Sequence, residues 1–382
     1  MSIFSASAQR SKDDTAQNAS SSTLKSSHFF KKCWFCAQMC RLLSLALVMA
    51  VLCKYVFVYP EVEPRNVLLT NLVASSEGPQ HRNSLPVAAG STLTSTAACI
   101  RSHLRPRPLD FSWTKGGELI PAPRIAIVAL FKNEAANMRE WLEHHVEQGI
   151  DAFFLMDNDS TDAWQEEIKG FEEVVTVVRT SKRHAQLELY NTFALPWLKE
   201  QGFLITLLID LDEFAFSTLG GGSTLADITW GIFNHSQDNL ISQVYMHWHM
   251  FGSNGHTKQP PSVREGFVTG KKGDLLLHGK AFAKTFFVDS LGIHSHKSPQ
   301  GVMLDEPIST MLGFQLNHYA IQSREWYEKT KLHRGAPESA QAENLRDWGY
   351  FSRYDWNETT DTTLRDLSRA WRKKHPECYP KH

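Results

Sequence analysis

Four short apolar runs, separated by longer segments with a helical repeat, dominate the chain between residues 124 and 209. They are Arg124–Leu130, Ala152–Met156, Val174–Val178 and Phe203–Ile209. Runs of this length are typical of parallel strands buried on both faces, and the segments between them are long enough for crossover helices. The alternation therefore predicts an α/β fold with a mainly parallel sheet flanked by helices. In such sheets, ligands bind at the carboxyl ends of the strands.

Two of the intervening segments have a clear helical pattern. Apolar side chains recur at helical spacing from Met138 to Val146, and Gly149 follows as a residue suited to end a helix. The segment His184–Glu200 has the same pattern, but Pro196 removes a backbone donor inside it. We therefore expect one helix before Gly149 and a second that kinks or breaks near Pro196.

An earlier apolar run, Leu42–Val58, has the length of a short membrane-spanning helix. Basic residues precede it, whereas Glu61 and Glu63 follow it, and this asymmetry leaves the N-terminus in the cytosol. A cleaved signal peptide is the alternative interpretation. The run predicts a single-pass type II membrane protein of the secretory pathway, in the Golgi, with its main domain in the lumen.

The rest of the chain divides by composition. We predict a disordered cytoplasmic tail (1–41), a transmembrane signal-anchor (42–58), a stem or linker (59–122), one main domain (123–356) and a C-terminal extension (357–382). The formal net charge of −1 provides no basic field, which argues against nucleic acid as a partner. The oligomeric state is left open.

Of the six cysteines, only Cys99 and Cys378 would lie in the lumen. An oxidising compartment permits a disulfide between them, which would tie the stem to the C-terminus. Two separate thiols are the alternative.

The strongest chemical signal is the D-x-D motif of Asp210 and Asp212, which directly follows the fourth apolar run. If the strand continues, both carboxylates lie on one face at its carboxyl end. Two hard oxygen ligands at this spacing suit Mn²⁺ or Mg²⁺ bridging a diphosphate, whose developing charge the metal would neutralise. A solvated acidic turn is the alternative.

Polar clusters also follow the first two runs. Lys132-Asn133-Glu134 follows the first, and Asp157–Asp162 follows the second. The second cluster does not fit a calcium-binding EF-hand loop, because Asp162 stands where that loop needs glycine. A helix cap at Ser160 or Asp162 is the simpler interpretation. Asp157 itself ends the strand, where it could accept a hydrogen bond from a nucleobase.

Several motifs together resemble glycosyltransferase family 92 and its bacterial relatives, over about residues 124 to 336. They are Phe131–Glu134, Glu140–His145, Gly149, Asp157–Asp162, Asp210–Phe214, Trp248–Gly255, Leu316–Tyr319, Ser323, Lys331 and Arg334-Gly335. The resemblance implies a GT-A fold, a UDP-sugar donor (commonly UDP-galactose), a glycan acceptor, Mn²⁺, and inversion at the anomeric carbon.

The same resemblance implies roles for individual residues. The donor would contact Lys132, Glu134, Asp157, Asp210, Lys284 and Arg334, with the uridine held by Glu134 and Asp157. The metal would be held by Asp210, Asp212 and His318, and the acceptor site would be shaped by Trp248, Gly252 and Gly255. Surface charges at Lys284 and Arg334, and a core histidine at His318, are the alternatives.

Inversion requires a base that takes the proton of the acceptor hydroxyl, most often a carboxylate. It should lie well after the D-x-D motif. Asp305 and Glu306, just before Pro307, fit that position, and Glu265 is a rival. A plain surface-loop acid is the alternative.

Two other function classes compete with the transferase. His247 and His249, and likewise His294 and His296, are spaced to share one face of a strand. Two histidines and a carboxylate can hold zinc or a redox metal, so a metal-dependent hydrolase or oxygenase is the first alternative. A glycan-binding protein that retains the fold without turnover is the second.

Overall fold

The computed structural model describes residues 95–104, 124–182, 184–235, 241–273, 276–305, 307–332 and 346–379. All of them belong to one compact unit, 89–382. The predicted tail and signal-anchor, and most of the predicted stem, lie outside the described residues, as do Glu306 and Arg334. Within the described ranges, no helix has both the length and the apolar character needed to cross a bilayer.

The strands and helices alternate through the first half of the unit and mix more freely in the second. The strands are β1 Ile125–Phe131, β2 Ala152–Asn158, β3 Val175–Thr180, β4 Ile205–Leu208, β5 Glu213–Ser217, β6 Ile241–Met250, β7 Thr269–Gly270, β8 Leu276–Lys284, β9 Val302–Leu304, β10 Phe314–His318 and β11 Thr359–Thr360. The α-helices are α1 Thr96–Ser102, α2 Ala135–Glu147, α3 Trp164–Glu167, α4 Gln186–Leu189, α5 Leu195–Glu200, α6 Leu225–His235, α7 Val263–Gly266, α8 Ile308–Met311, α9 Arg324–Trp326, α10 Trp348–Tyr354 and α11 Thr363–Lys374.

Nine strands form one sheet in the order β3-β2-β1-β4-β8-β6-β10-β5, with β9 paired to β6. The pairs among β1, β2, β3 and β4 are parallel, as are β6 with β9 and with β10. Strand β8 is antiparallel to both of its neighbours, and β5 is antiparallel to β10. The predicted fold class, an α/β domain with a mainly parallel sheet flanked by helices, is confirmed.

The four predicted strands are β1 to β4, each within two residues of the predicted bounds. Every residue of β1 is buried, as its uniformly apolar sequence requires. Its side chains alternate between two core layers on opposite faces of the sheet: Ile125 and Ile127 pack in one, Ala126 and Val128 in the other. The sheet is therefore covered on both faces.

The helical segment predicted to kink or break near Pro196 does not break there; it contains a π-helical turn instead. Helix α4 passes through a π-helical turn, Tyr190–Ala194, into α5, where Pro196 occupies the first turn. Ala194 and Leu195 keep helical φ and ψ, so Pro196 lies inside a continuous helical segment. Its missing N–H and its ring disfavour a regular α-helical turn before it. The π turn thus lets the segment continue past the proline.

The C-terminal region packs onto the main unit. Strand β11 pairs with β7, and Cys378 forms a disulfide with Cys99 of α1. Arg372 of α11 forms an ion pair with the buried Glu143 of α2. The described part of the predicted extension therefore contributes to the same compact unit as the sheet.

Candidate active site

A cavity of about 280 Å³ opens at the carboxyl ends of β1, β4, β6 and β10. Its wall combines acidic, basic and aromatic side chains. The lining residues are Leu130, Glu134, Gln186, Asp210, Leu211, Asp212, Trp248, Met250, Lys280, Ile293, His294, His318, Lys331, Arg346, Tyr350 and Tyr354. The sheet topology thus brings both aspartates of the D-x-D motif to one site, as the sequence predicts.

The D-x-D motif occupies a turn between β4 and β5, and in this respect the prediction of a continuing strand is wrong. The backbone N–H of Asp210 donates to Glu213 Oε2 at 2.8 Å, and that of Glu213 donates to the Asp210 carbonyl at 3.1 Å. The two bonds fold the chain back into β5. They let Asp210 and Asp212 reach the cavity from a turn instead of a strand face.

Two buried lysines pair with the two aspartates. Lys280 Nζ of β8 lies 3.1 Å from Asp210 Oδ2 and 3.6 Å from Glu213 Oε2. Lys331 Nζ lies 2.8 Å from Asp212 Oδ2 and 3.5 Å from Glu134 Oε1. Buried charges are stable only when they are paired, so each lysine compensates two carboxylates.

These pairs keep the D-x-D carboxylates ionised. Burial would raise the pKa of Asp212, but the charges of Lys331 and His318 outweigh it and hold the pKa well below its ordinary value. Burial likewise opposes the effect of Lys280 on Asp210, whose pKa is lowered on balance. In contrast, burial raises the pKa of Glu213 to about 7 against the opposing charge of Lys280.

The residues predicted to hold a metal fit a hard divalent cation. Asp212 Oδ1 is buried and has no hydrogen bond to any described residue, and His318 Nε2 lies 3.7 Å from it. The Asp210 side chain lines the same cavity and is 37% exposed. An orphaned carboxylate oxygen beside an imidazole nitrogen and a second carboxylate is the donor set that Mn²⁺ or Mg²⁺ accepts.

An aromatic wall faces the acidic side of the cavity. The ring of Trp248 lies 4.4 Å from that of His318 and 5.6 Å from that of His294, measured between centroids. Within the described part of the chain, its buried indole Nε1 has no hydrogen-bond partner. Arg346, Tyr350 and Tyr354, at or before α10, complete the lining on another side. The cavity thus offers flat rings beside the charged cluster.

Two predicted donor residues lie at strand ends but do not line the cavity. Asp157 is fully buried at the end of β2, where its Oδ1 accepts from the backbone N–H of Ser160 at 2.8 Å. Its Oδ2 lies 3.4 Å from Arg179 Nε. Lys132 is half-buried in the turn after β1. Glu134, the other predicted donor contact at these strand ends, does line the cavity. Asp157 stabilises its own turn through Oδ1, whereas its buried Oδ2 accepts no hydrogen bond from the described residues, so its contact with a nucleobase stays a prediction.

The prediction for Lys284 is wrong in position. Lys284 pairs in register with Ile205, at the amino end of β4, whereas the D-x-D motif follows the carboxyl end. Its ammonium lies near the rings of Phe233 and Phe287, and burial lowers its pKa. The lysine that reaches the motif is Lys280, four positions earlier on β8.

Gly252 and Gly255 do not shape the cavity, contrary to the prediction. A Cβ on Gly252 would lie 2.2 Å from the Trp356 carbonyl oxygen, so glycine is needed for close packing against the C-terminal region. Gly255 has a φ of 72° in the adjoining turn, which favours glycine. Both glycines therefore serve the turn after β6.

The predicted base Asp305 does not line the cavity either. Its Oδ1 lies 2.7 Å from His247 Nε2, at a half-exposed position beyond β9. The rival Glu265 pairs with Arg369 of α11. A loop acid that follows a strand in the sequence need not reach the sheet edge where the D-x-D motif lies.

The histidine pairs proposed for a hydrolase or oxygenase do not form a shared site. His294 lines the cavity, whereas His296 is buried, with its Nδ1 accepting from the backbone N–H of Gly292 at 3.2 Å. His247 is bonded to Asp305. Among the described residues, two compact groups of metal-ligating residue types lie outside the cavity. One is His103 with the disulfide-bonded Cys99 and Cys378, and the other is His103, His375 and Glu377.

Proteins of similar sequence indicate which family this chain resembles. A rice protein named glycosyltransferase family 92 protein is 30% identical over 39% of this chain and 24% of its own length. A family 92 protein of Ricinus communis is 25% identical over 50% of the chain and 34% of its own. This chain is similar to glycosyltransferase family 92 proteins. The resemblance inferred from the motifs is thereby confirmed, although the chain spans only about a quarter to a third of these relatives.

Other comparisons add less to the family 92 resemblance. No family model matches the chain. Staphylococcus aureus TarS 1–349 is 16% identical over 43% of this chain and 48% of its own, with a TM-score of 0.29. A Mycobacterium tuberculosis glucosyl-3-phosphoglycerate synthase is 14% identical over 44% and 57%, with a TM-score of 0.25. Scores this low support no further conclusion, and the fold rests on the sheet itself.

Several cavity residues carry no predicted role. They are Lys280, Lys331, Arg346, Tyr350 and Tyr354. The sequence could have indicated a role for Lys280, because the apolar run Ala281-Phe282-Ala283 that follows it predicts a buried strand, and a buried lysine must be paired. Lys331 belongs to the family 92 pattern. For α10, the sequence has no local feature that indicates a cavity.

Proposed function

We propose that this protein is a glycosyltransferase that moves a hexose, with galactose favoured, from a UDP-sugar to a glycan acceptor. The observation that carries the proposal is the cavity in which Asp210 and Asp212 face Lys280, Lys331 and a wall of aromatic rings. The similarity to family 92 proteins supports the reaction class. The sugar is chosen by the family resemblance.

The basic residues of the cavity provide the donor's electrostatic complement. Lys280 and Lys331 place two ammonium groups within reach of a diphosphate at the D-x-D motif, and Arg346 lines the same space. Lysine binds phosphate as a point charge, and arginine binds it as a planar fork. A leaving nucleoside diphosphate gains negative charge as its bond to the sugar breaks, so fixed cations favour departure.

Mn²⁺, or Mg²⁺, is the cofactor we propose, held by Asp210, Asp212 and His318. When bound, such an ion neutralises charge on the departing diphosphate. The orphaned Oδ1 of Asp212 supports this assignment, because a buried carboxylate oxygen without a partner is costly. Lys331 orients the other oxygen of that carboxylate at 2.8 Å.

The aromatic side of the cavity is the proposed acceptor site. Trp248 presents a ring and a buried N–H without a partner among the described residues, and a sugar can use both by stacking and accepting a hydrogen bond. Tyr350 and Tyr354 offer further ring surface. We propose that transfer occurs with inversion, in accordance with the family resemblance.

The proposed location is the Golgi lumen, with a type II anchor at 42–58. The Cys99–Cys378 disulfide supports a luminal domain, because disulfides persist in oxidising compartments. Microscopy of the full-length chain with a C-terminal tag, combined with protease protection, tests this location. A tag exposed to the cytosol in intact vesicles would refute it.

A donor screen tests the activity. The purified full-length chain is incubated with UDP-galactose, UDP-glucose and UDP-N-acetylglucosamine, with and without Mn²⁺, and released UDP is measured. We expect UDP-galactose to be consumed with Mn²⁺, and Asp212→Asn to reduce the rate at least 100-fold. Asp289→Asn, at an exposed position outside the cavity, is the matched control. Binding of sugar oligomers without any UDP release would instead favour the non-catalytic glycan-binding alternative.

A further inference from the structure

The placement of Asp305 outside the cavity removes the base expected from the sequence. Among the carboxylates that line the cavity, Asp210 and Asp212 face lysines and the proposed metal. Glu134 lies 3.5 Å from Lys331 and accepts a hydrogen bond from Asn137. These carboxylates are committed to cations, which makes them poor proton acceptors. Glu306, the other acid predicted as the base, lies outside the described residues. Among the described residues of the cavity, the base is therefore sought in a side chain other than these carboxylates.

His294 lines the cavity beside the ring of Trp248. Its ring is 5.6 Å from that of Trp248 and 5.4 Å from that of His278, between centroids. Nδ1 lies 2.9 Å from the carbonyl oxygen of Gly279. A carbonyl can only accept, so Nδ1 carries the proton and Nε2 of the neutral ring has the lone pair.

The backbone position of Gly279 is itself tightly constrained. A Cβ on this residue would lie 1.9 Å from the Met246 carbonyl oxygen of β6, so only glycine fits. This close approach fixes the Gly279 carbonyl in β8, directly beside Lys280. The acceptor that orients His294 is therefore anchored in the same strand that supplies a cation to the D-x-D motif.

We propose that His294 is the general base of the sugar transfer, a proposal that rests on the function proposed above. Nε2 takes the proton of the acceptor hydroxyl as that oxygen forms a bond to the anomeric carbon. The bond from the anomeric carbon to the β-phosphate oxygen breaks, and its electron pair leaves with UDP. Gly279 holds the ring in the tautomer that this step requires.

The charges around His294 fit this role. Burial lowers the pKa of His294, with Lys280 and His278 acting in the same direction and the Gly279 carbonyl and Asp210 opposing. A base acts in its deprotonated form, so a lowered pKa leaves the ring neutral at neutral pH. The plot of kcat/KM against pH should rise through a value below 6.5, the ordinary histidine pKa, and then level off.

The decisive comparison is His294→Gln with His278→Gln. Glutamine at 294 can still donate to Gly279 but cannot accept the proton. His278 is an exposed neighbour at a similar distance from Trp248 and is not part of the described cavity lining. With UDP-galactose and an acceptor identified by glycan-array screening, His294→Gln should lower kcat by about 10²–10⁴-fold. UDP binding, measured by calorimetry, should change less than about 3-fold. His278→Gln should retain the wild-type kcat, with an acidic limb that is still present but moves toward higher pH, because His278 helps to lower the pKa of His294.

The results separate this proposal from the proposed function. If the wild-type chain consumes no UDP-sugar, the transferase assignment fails first. If the wild type is active and His294→Gln retains its kcat and the acidic limb of its pH profile, the base assignment is wrong. Loss of the acidic limb together with the lower kcat supports it, because a merely structural role would leave that limb in place.

Discussion

The ammonium of Lys331 lies 2.8 Å from the carboxylate of Asp212, although 119 residues separate them in the chain. Lys331 ends a π-helical turn, Tyr327–Lys331, and is buried together with its partner. A buried charge that loses its partner is strongly destabilising. The pair therefore couples the D-x-D turn to a segment that the sequence places far away.

A double-mutant cycle tests this coupling. We expect Lys331→Met to lower the unfolding free energy by about 3 kcal/mol, because Asp212 keeps a buried charge with only His318 nearby. In Lys331→Met/Asp212→Asn that charge is absent, so part of the stability should return, while the buried Glu134 still lacks the lysine in both variants. Thermal unfolding of the purified chain, followed by tryptophan fluorescence, measures all four corners. Simple additivity of the two changes would contradict the coupling.

The structure and the family resemblance assign the donor-binding lysine of β8 differently: the structure points to Lys280, and the resemblance implies Lys284. Lys280→Met should weaken UDP binding at least 10-fold, since it removes the cation that faces Asp210. Lys284→Met should leave UDP affinity within about 2-fold of the wild type, because Lys284 lies at the other end of β4. Calorimetric titration with UDP compares the two. Equal losses would place the donor site elsewhere on the sheet.

The disulfide provides a stability prediction independent of the cavity. Cys99 and Cys378 close a loop with a sequence separation of 279. We expect Cys99→Ser to lower the unfolding free energy by roughly 2–5 kcal/mol. The variant Cys99→Ser/Cys378→Ser should be no less stable than the single one, because one bond is lost in both. An unchanged melting temperature in the single variant would mean that the bond contributes nothing.

The core histidine His145 predicts a dependence of stability on pH. Burial lowers its pKa to about 3, below the ordinary value of 6.5. Its Nδ1 donates to the Trp141 carbonyl at 2.8 Å and its Nε2 accepts from the backbone N–H of Ala215 at 3.4 Å, so the two bonds together require the neutral ring. Between these pKa values the unfolded chain binds more protons than the folded one. Stability is therefore complete above pH 6.5 and is lost as the pH falls, by up to about 1.4 kcal/mol per pH unit.

His145→Asn is the matched variant for that measurement. Its amide can still donate to Trp141 but does not titrate. The variant should be less stable than the wild type at pH 7.5, because the smaller side chain leaves a cavity. Its loss of stability between pH 6.5 and 4.5 should be smaller. An identical pH dependence in both proteins would show that His145 does not titrate with unfolding.

The sequence predicts the first half of the fold well, for a physical reason. Strands β1, β2 and β4 are buried along almost all of their length, and their apolar composition reports that burial directly, whereas the edge strand β3 is only partly buried. The D-x-D motif could be placed at the sheet edge because it follows such a strand. The sequence does not predict the turn that the motif forms, because that turn depends on a hydrogen bond from the backbone N–H of Asp210 to the side chain of Glu213.

The second half of the site depends on contacts between distant segments. Lys280 and Lys331 come together only because β8 enters the sheet antiparallel to β4 and because the segment after β10 folds back over the edge. A single sequence has no periodicity that encodes such pairings. For the same reason, the order of residues along the chain suggested Asp305 and Lys284 as site residues, although neither lines the cavity.

The most direct test of the central claim is UDP binding by the wild-type chain and by Asp212→Asn, each titrated with and without Mn²⁺. We predict that Mn²⁺ tightens UDP binding to the wild type at least 10-fold and has no effect on Asp212→Asn. Asp289→Asn should match the wild type. If UDP binds both proteins equally well, whether or not Mn²⁺ is present, then Asp212 does not hold a metal that bridges to a diphosphate.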